Sequence, residues 1–271
     1  MDLIHSNFDF LDRPWWKADY DERDVQYYIT EIKRLQKAIK KSVVADEDEK
    51  FILGYIQLHQ ENYLIECISA ESDVSHEKVK QLLKDEPNYI FPSIFFPNLS
   101  MDRFTPSFAK ELHQQIGDNG LIDNAGQYRT NFVKPAQDDF YYMDPKFIND
   151  ELEKLFGKCR EIFGREDLQL EEAVKFSACF LAYFLYVHPF SNGNGRVARL
   201  LLSYLLSNFT VVPLSLYTGT ETRNNYLQCL REAQWYHDPP FKPSALATFI
   251  LENVHKTSYH ICTSMDIDYS E

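Results

Sequence analysis

Glycine is scarce in this chain, with nine in 271 residues. That scarcity excludes a collagen-like or glycine-rich low-complexity chain. It also makes placement informative, because Gly193 and Gly195 stand only one residue apart. An excess of cations is missing too. Against 41 Asp+Glu there are 28 Lys+Arg, a formal net charge of −13. Unselective binding to nucleic acid or to an anionic membrane needs basic surface, so neither is expected as a partner. Cys67, Cys159, Cys179, Cys229 and Cys262 are odd in number and widely spaced, with no CxxC and no zinc-like Cys/His spacing. They read as reduced, mostly buried thiols. No apolar run approaches the roughly 18–20 residues that span a bilayer. The N-terminus also lacks the basic-then-apolar order of a signal peptide. A cytoplasmic location is the simplest expectation.

What is present repeats at helical spacing. Over Glu22–Val43, the residues Val25, Tyr28, Ile29, Ile32, Leu35 and Ile39 recur as one helix face. The basic end from Lys37 to Lys41 suits a helix C-terminus. Further helices are expected over 48–68 and in SHEKVKQLLKD, which opens on Ser75 as a helix cap. Four prolines from Pro87 to Pro106 interrupt the pattern and place a boundary near residue 96. Helices resume over 107–117, 146–163, 169–187, 196–208, 221–234 and 243–256. Turn residues around short β-type runs in 118–145 predict a small hairpin. The expected fold is mainly α with one short β-hairpin. It divides into an N-terminal helical region (1–95), a main domain (96–260) and a frayed acidic tail (261–271).

The two glycines belong to His188-Pro189-Phe190-Ser191-Asn192-Gly193-Asn194-Gly195-Arg196. The segment before it, EEAVKFSACFLAYFLYV, is apolar nearly all round toward its end and predicts a buried central helix. That helix stops at His188, because the residue ahead of a proline is pushed out of the α region. GRVARLLLSYLL then begins another, with Val197, Leu201, Tyr204 and Leu205 on its inner side. The motif is therefore a short loop joining a buried helix to a helix N-terminus. Glycines there allow a tight turn and close approach of a ligand. Unpaired N–H groups and the helix dipole favour an anion. Arg196 and Arg199 stand one turn apart and can address the same phosphate chain. His188, at the loop entrance, can exchange a proton near neutral pH. Each feature alone is more often structural, and Phe190 reads as the core anchor of the loop. Their convergence on one junction singles out an anion site with a base beside it.

HPFSNGNGRVAR resembles the signature of the Fic family, HPFx(D/E)GN(G/K)RxxR. SFAKELHQQI is similar to an early Fic helix and GQYRTNFV to the strand that flaps over the site. TETRNNYLQCLREAQ and PSALATFILENV look like the trailing helices, so the resemblance covers residues 100–258. It implies a Fic-type helical bundle with a short β-hairpin flap and an N-terminal helical extension. It also implies a protein adenylyltransferase, which moves AMP from ATP to a Ser, Thr or Tyr hydroxyl of a target protein or of itself. On that reading His188 takes the proton of the attacking hydroxyl. Gly193, Asn194 and Gly195 hold the α-phosphate, and Arg196 and Arg199 grip the β- and γ-phosphates. Asn225 and Tyr226 are candidates for contacts to adenine or ribose. Tyr128, Arg129, Thr130, Asn131, Phe132 and Val133 would form the flap that pairs with an extended target segment by strand addition. A second copy of the chain, in a homodimer, is the other partner this reading allows.

One position departs from the signature. Asn192 stands where the family has Asp or Glu, the residue that holds Mg²⁺ against the phosphates. An amide oxygen can coordinate Mg²⁺ but lacks the charge that attracts a hard dication. Three alternatives stay open: a Mg²⁺ site held chiefly by the phosphates and Asn192, another phosphate-linked donor, or a nucleotide-binding regulatory protein with weak or no transfer. Many Fic proteins also carry an inhibitory helix of pattern (S/T)xxxE(G/N), whose Glu pairs with the second arginine of the motif. Glu71, four residues after Cys67 and followed by Ser72, has the setting but neither flanking residue. It is either an inhibitory partner for Arg199 or a solvated Glu near a helix end.

Overall fold

The computed structural model describes residues 4–18, 21–45, 100–117, 122–135, 141–210, 216, 220–235 and 242–270. Seven α-helices lie among them: α1 (Val25–Ala45), α2 (Pro106–Gly117), α3 (Ile148–Phe163), α4 (Leu170–Val187), α5 (Asn194–Leu205), α6 (Thr220–Trp235) and α7 (Ser244–Ser264). Short 3₁₀ turns precede α2 and α3, at Met101–Arg103 and Pro145–Phe147. The helices expected over 48–68 and at SHEKVKQLLKD, and Glu71 with them, lie outside the described residues.

Local chemistry starts these helices. Asp24 accepts the Tyr27 N–H at 2.7 Å and caps α1. Thr105 accepts the Phe108 N–H at 3.2 Å, with Pro106 at the first position of α2, where a missing N–H is no loss. α4 is the hub. Every residue from Ala173 to Leu185 is buried, and the helix packs against α3, α5, α6 and α7. A helix apolar all round can only be central, as its sequence predicted. Phe180 of α4 meets Phe156 of α3 and Phe104 with ring centroids 5.6 and 5.4 Å apart. Tyr204 of α5 closes that layer 5.5 Å from Phe104. Four of the cysteines, Cys159, Cys179, Cys229 and Cys262, are buried free thiols.

Three expectations meet the structure here. The first is the division at residue 96, a position outside the described residues. Ile4, Phe8, Tyr28, Ile29 and Ile32 lie in the same apolar cluster as α2 to α7. Polar ties join the N-terminal arm to α7: Leu11 N–H to Thr248 Oγ1 at 2.9 Å and Trp16 Nε1–H to Glu252 at 2.8 Å. The described parts of the two regions therefore share one core. The second is the tail. Helix α7 runs on to Ser264, and Ile261, Cys262 and Ile267 are buried against Leu35 and Ile39 of α1. Those apolar side chains have a partner surface more than two hundred positions earlier in the chain, which overrides the polar composition around them.

The third is the hairpin. No β-strand occurs among the described residues. A turn over 122–126 leads instead into an irregular arm over 127–135, tied to a second arm over 141–144 by the Tyr142 N–H to Val133 O bond at 3.1 Å. Backbone donors that a hairpin would use in its own ladder go elsewhere. Arg129 N–H donates to Pro189 O at 2.9 Å and Met143 N–H to Tyr186 O at 3.4 Å. The arms are thus sewn to the C-terminal end of α4, and Pro135 has no N–H to offer a ladder.

Candidate active site

The end of α4 sets the first residue of the site. His188 caps the helix in the left-handed region (φ 49°, ψ 60°), its N–H donating to Phe184 O. A non-glycine residue in that region is strained and must be held there by its surroundings. Several groups hold it. His188 Nδ1 lies 3.2 Å from Leu185 O, and the His188 carbonyl accepts Arg129 Nε–H at 2.6 Å. Tyr142 lies flat on the imidazole, centroids 3.8 Å apart and planes 8° from parallel. A carbonyl only accepts, so the contact with Leu185 O calls for a proton on Nδ1.

The loop then turns into α5. Gly193 has φ +76°, and a Cβ there would lie 2.5 Å from Ile122 Cδ1, so only glycine fits. Asn194 closes the loop on itself. Its Oδ1 accepts the Phe190 N–H at 2.9 Å and its Nδ2 donates to Phe190 O at 2.7 Å. Both ends of that amide are therefore engaged within the loop. Its backbone N–H remains part of the first turn of α5, ahead of the Val197 N–H to Gly193 O bond at 3.1 Å. Phe190 is fully buried, as its role of loop anchor required.

Arg196 and Arg199 follow on α5 and are each only 1% exposed. The two guanidinium groups lie inside the fold, not on a solvated face. Asn192 is exposed, and its Oδ1 accepts the Gly193 N–H at 2.7 Å. Tyr226 of α6 is buried beside Phe249 of α7, ring centroids 6.2 Å apart, and Asn225 next to it is half-buried. That packing makes Tyr226 a core residue.

The expected flap residues split into two groups. Tyr128 is half-buried under Lys110 and packs 5.5 Å from Phe190, and burial raises its pKa. Arg129 is 4% exposed and donates to four carbonyls: His188 at 2.6 Å, Val187 at 3.1 Å, Asn131 at 2.8 Å and Met143 at 2.5 Å. It is a clamp across the α4 terminus and both arms, so its side chain cannot meet a target. Burial pulls its pKa down, and Asp144 partly offsets that. Thr130, Asn131 and Phe132 are exposed and Val133 is half-buried. Phe132 and Tyr141 form an exposed edge-to-face pair 6.2 Å apart.

Two further residues belong to the site and escaped sequence reasoning. His113 of α2 accepts the Gly126 N–H at Nδ1 (2.8 Å) and reaches Asn192 O through Nε2 (3.0 Å). The first contact fixes the proton on Nε2, so His113 is a neutral bridge to the loop. Burial lowers its pKa, as does the nearby Arg196 charge, against the opposing Asn192 bond. Its ring stacks on Phe190 at 3.8 Å. The only sequence signal was a histidine on the apolar face of SFAKELHQQI. Tyr142 carried no signal at all.

Residues 103–206 match the Fic/DOC family model. The "Protein adenylyltransferase Fic" of Nematostella vectensis is 26% identical over 137 residues, which is 48% of this chain and 29% of that protein. The "Ribonucleoside-diphosphate reductase small chain" of Ostreid herpesvirus 1 is 21% identical over 198 residues, 70% of this chain and 32% of that one. The chain thus spans less than a third of the length of each. A crystal structure of a Fic family protein from Desulfovibrio desulfuricans superposes with TM-score 0.61 at 18% identity, over 89% of this chain and 75% of that one. That likeness is one of fold. No helix among the described residues is long and apolar enough to cross a membrane. The loop and the helix it opens fall within residues 103–206, the part of the chain that matches the Fic/DOC family model.

Proposed function

We propose that this protein is an adenylyltransferase that moves AMP from ATP to a Ser, Thr or Tyr hydroxyl of a target protein, itself included. The observation that carries the reading is His188, with Nδ1 3.2 Å from Leu185 O, immediately ahead of the glycine turn that opens α5. The acceptor hydroxyl gives its proton to Nε2 as its oxygen bonds to the α-phosphorus. The bond from that phosphorus to the bridging oxygen breaks, and pyrophosphate leaves. N–H groups of Asn194 and Gly195 in the first turn of α5 stabilise the charge on the α-phosphate. Arg196 and Arg199 bind the β- and γ-phosphates, and charges in a low-dielectric interior act more strongly than charges in water. The exposed arm Thr130–Asn131–Phe132 receives the target as an extended segment.

Magnesium does not fit the protein side of this site. Asn192 is neutral and its oxygen is turned onto Gly193 N–H. Among the described residues no group of three His, Cys, Asp or Glu could hold a metal ion. Any Mg²⁺ therefore enters as part of the triphosphate substrate, and no step above is routed through it. The same observation favours a second reading, a nucleotide-binding regulatory protein with little transfer. ATP labelled at the α- or the γ-phosphate separates the two. Transfer of AMP leaves acid-stable label on protein from α-labelled ATP only, and His188→Ala abolishes it. Bound nucleotide with no label on protein from either form would favour the regulatory reading.

A further inference from the structure

Three residues of the loop rest on one buried ring. His113 of α2 stacks on Phe190 at 3.8 Å and 4°, meets the Asn192 carbonyl at 3.0 Å, and would lie 3.4 Å from a Cβ on Gly193. Backbone groups alone set its tautomer. The Gly126 N–H can only donate, so Nδ1 holds the lone pair and Nε2 carries the proton that Asn192 O accepts. The other end of the Asn192–Gly193 peptide is also engaged, since Gly193 N–H donates to Asn192 Oδ1 at 2.7 Å. In a trans peptide the carbonyl and the N–H point in opposite directions. This peptide is therefore pinned at both ends, with its negative end turned inward to a histidine 1% exposed. Gly193, at φ +76°, has no side chain to resist rotation of the peptide, so the pins must do so.

We propose that His113 is a positioning residue that locks the Asn192–Gly193 peptide, keeping its carbonyl oxygen turned away from the triphosphate. The value of this lock to the transfer rests on the reading that the loop holds ATP. A flip of the peptide exchanges its ends and presents a carbonyl oxygen where the N–H had been. A carbonyl oxygen repels phosphate oxygen, and the donors of an anion site act best when they are already in place. The effect does not stop at the loop. Gly193 O accepts Val197 N–H in the first bond of α5, so a shift at Gly193 reaches the start of that helix.

His113→Gln and His113→Asn divide the two bonds of the ring. Glutamine can place an amide N–H where Nε2 stands, and asparagine an amide oxygen where Nδ1 stands. Both lose the stack on Phe190, so the difference between them reports the bond to Asn192. Labelling the asparagine carbonyl with ¹³C and glycine with ¹⁵N gives one signal from each Asn-Gly junction, at 119–120, 192–193 and 194–195. The 192–193 signal is identified by its loss in Asn192→Ser. It is expected at its natural position in His113→Gln and shifted or broadened in His113→Asn. Affinity for the α,β-methylene analogue of ATP, measured by calorimetry, falls roughly 5- to 10-fold in His113→Asn and stays within about 2-fold in His113→Gln, as loss of one hydrogen bond implies. Should His113→Asn not fold, His113→Phe, which keeps a ring on Phe190 and removes both bonds, takes its place with the same expected outcome. An unmoved 192–193 signal or an unchanged affinity in His113→Asn, or a Gln variant as impaired as the Asn variant, would overturn the proposal. If the natural protein binds no ATP analogue, the function proposed above fails, while the 192–193 signal still decides whether His113 locks the peptide.

Discussion

His113 shows how a single side chain turns local geometry into pH dependence. It is 1% exposed and held neutral by a donor at Nδ1 and an acceptor at Nε2. Its pKa in the fold lies below the ordinary 6.5, through burial and the Arg196 charge. Below pH 6.5 the unfolded chain binds a proton that folded His113 refuses, so stability falls as pH drops through that window and is complete above it. His255 of α7, buried and near Arg23, acts in the same direction. We predict that the urea midpoint declines from pH 7.5 to pH 5.5, and that His113→Gln makes the decline shallower without removing it. An equal slope in the variant would mean that His113 is charged in the fold.

At the scale of elements, the decisive junction is the C-terminus of α4, where Arg129 joins the helix end to both arms. The last carbonyls of a helix lack intrahelical partners, and a cation is the favoured way to satisfy them. Val187 and His188 are served this way, and Asn131 and Met143 share the same guanidinium. Replacing Arg129 by Met leaves these acceptors without it in a water-poor site, and the expected cost is about 3 kcal/mol. Arg129→Lys recovers little of it, because one ammonium cannot span a planar fan of four carbonyls. Equilibrium urea unfolding measures both, and a loss under about 1 kcal/mol for Arg129→Met would contradict the clamp. This junction also explains what the sequence could and could not reveal. The motif, the buried helix before it and the helix after it were legible because their signals are contiguous from Glu171 to Leu206. The clamp was not, since Arg129 reaches His188 across 59 positions and His113 reaches Asn192 across 79. The hairpin was misread for the same reason: 128–133 carries β-type residues, but the partner for its donors is a helix end, which no local pattern encodes.

Over the whole molecule, the N-terminal arm, α1 and the part that matches the Fic/DOC family model share a core around α4 and α7, and the end of the chain returns to α1 through Ile267. The boundary near residue 96 was drawn from prolines, which report a local break in helix, and it lies outside the described residues. The acidic tail was read from composition, which cannot show that three apolar residues within it have a partner at Leu35 and Ile39. The net charge of −13 is a sum over the whole sequence. It coexists with Arg196, Arg199 and Arg129, all buried around one loop. The central proposal is that this site transfers a nucleotide with His188 as base. Intact-mass measurement after incubation with ATP tests it most directly, using the natural chain, His188→Ala and a mixture of candidate target proteins. The account predicts that the chain or a target gains the mass of one AMP in a His188-dependent manner, with release of pyrophosphate. Gain of a lone phosphate, or a gain of AMP that persists in His188→Ala, would contradict it.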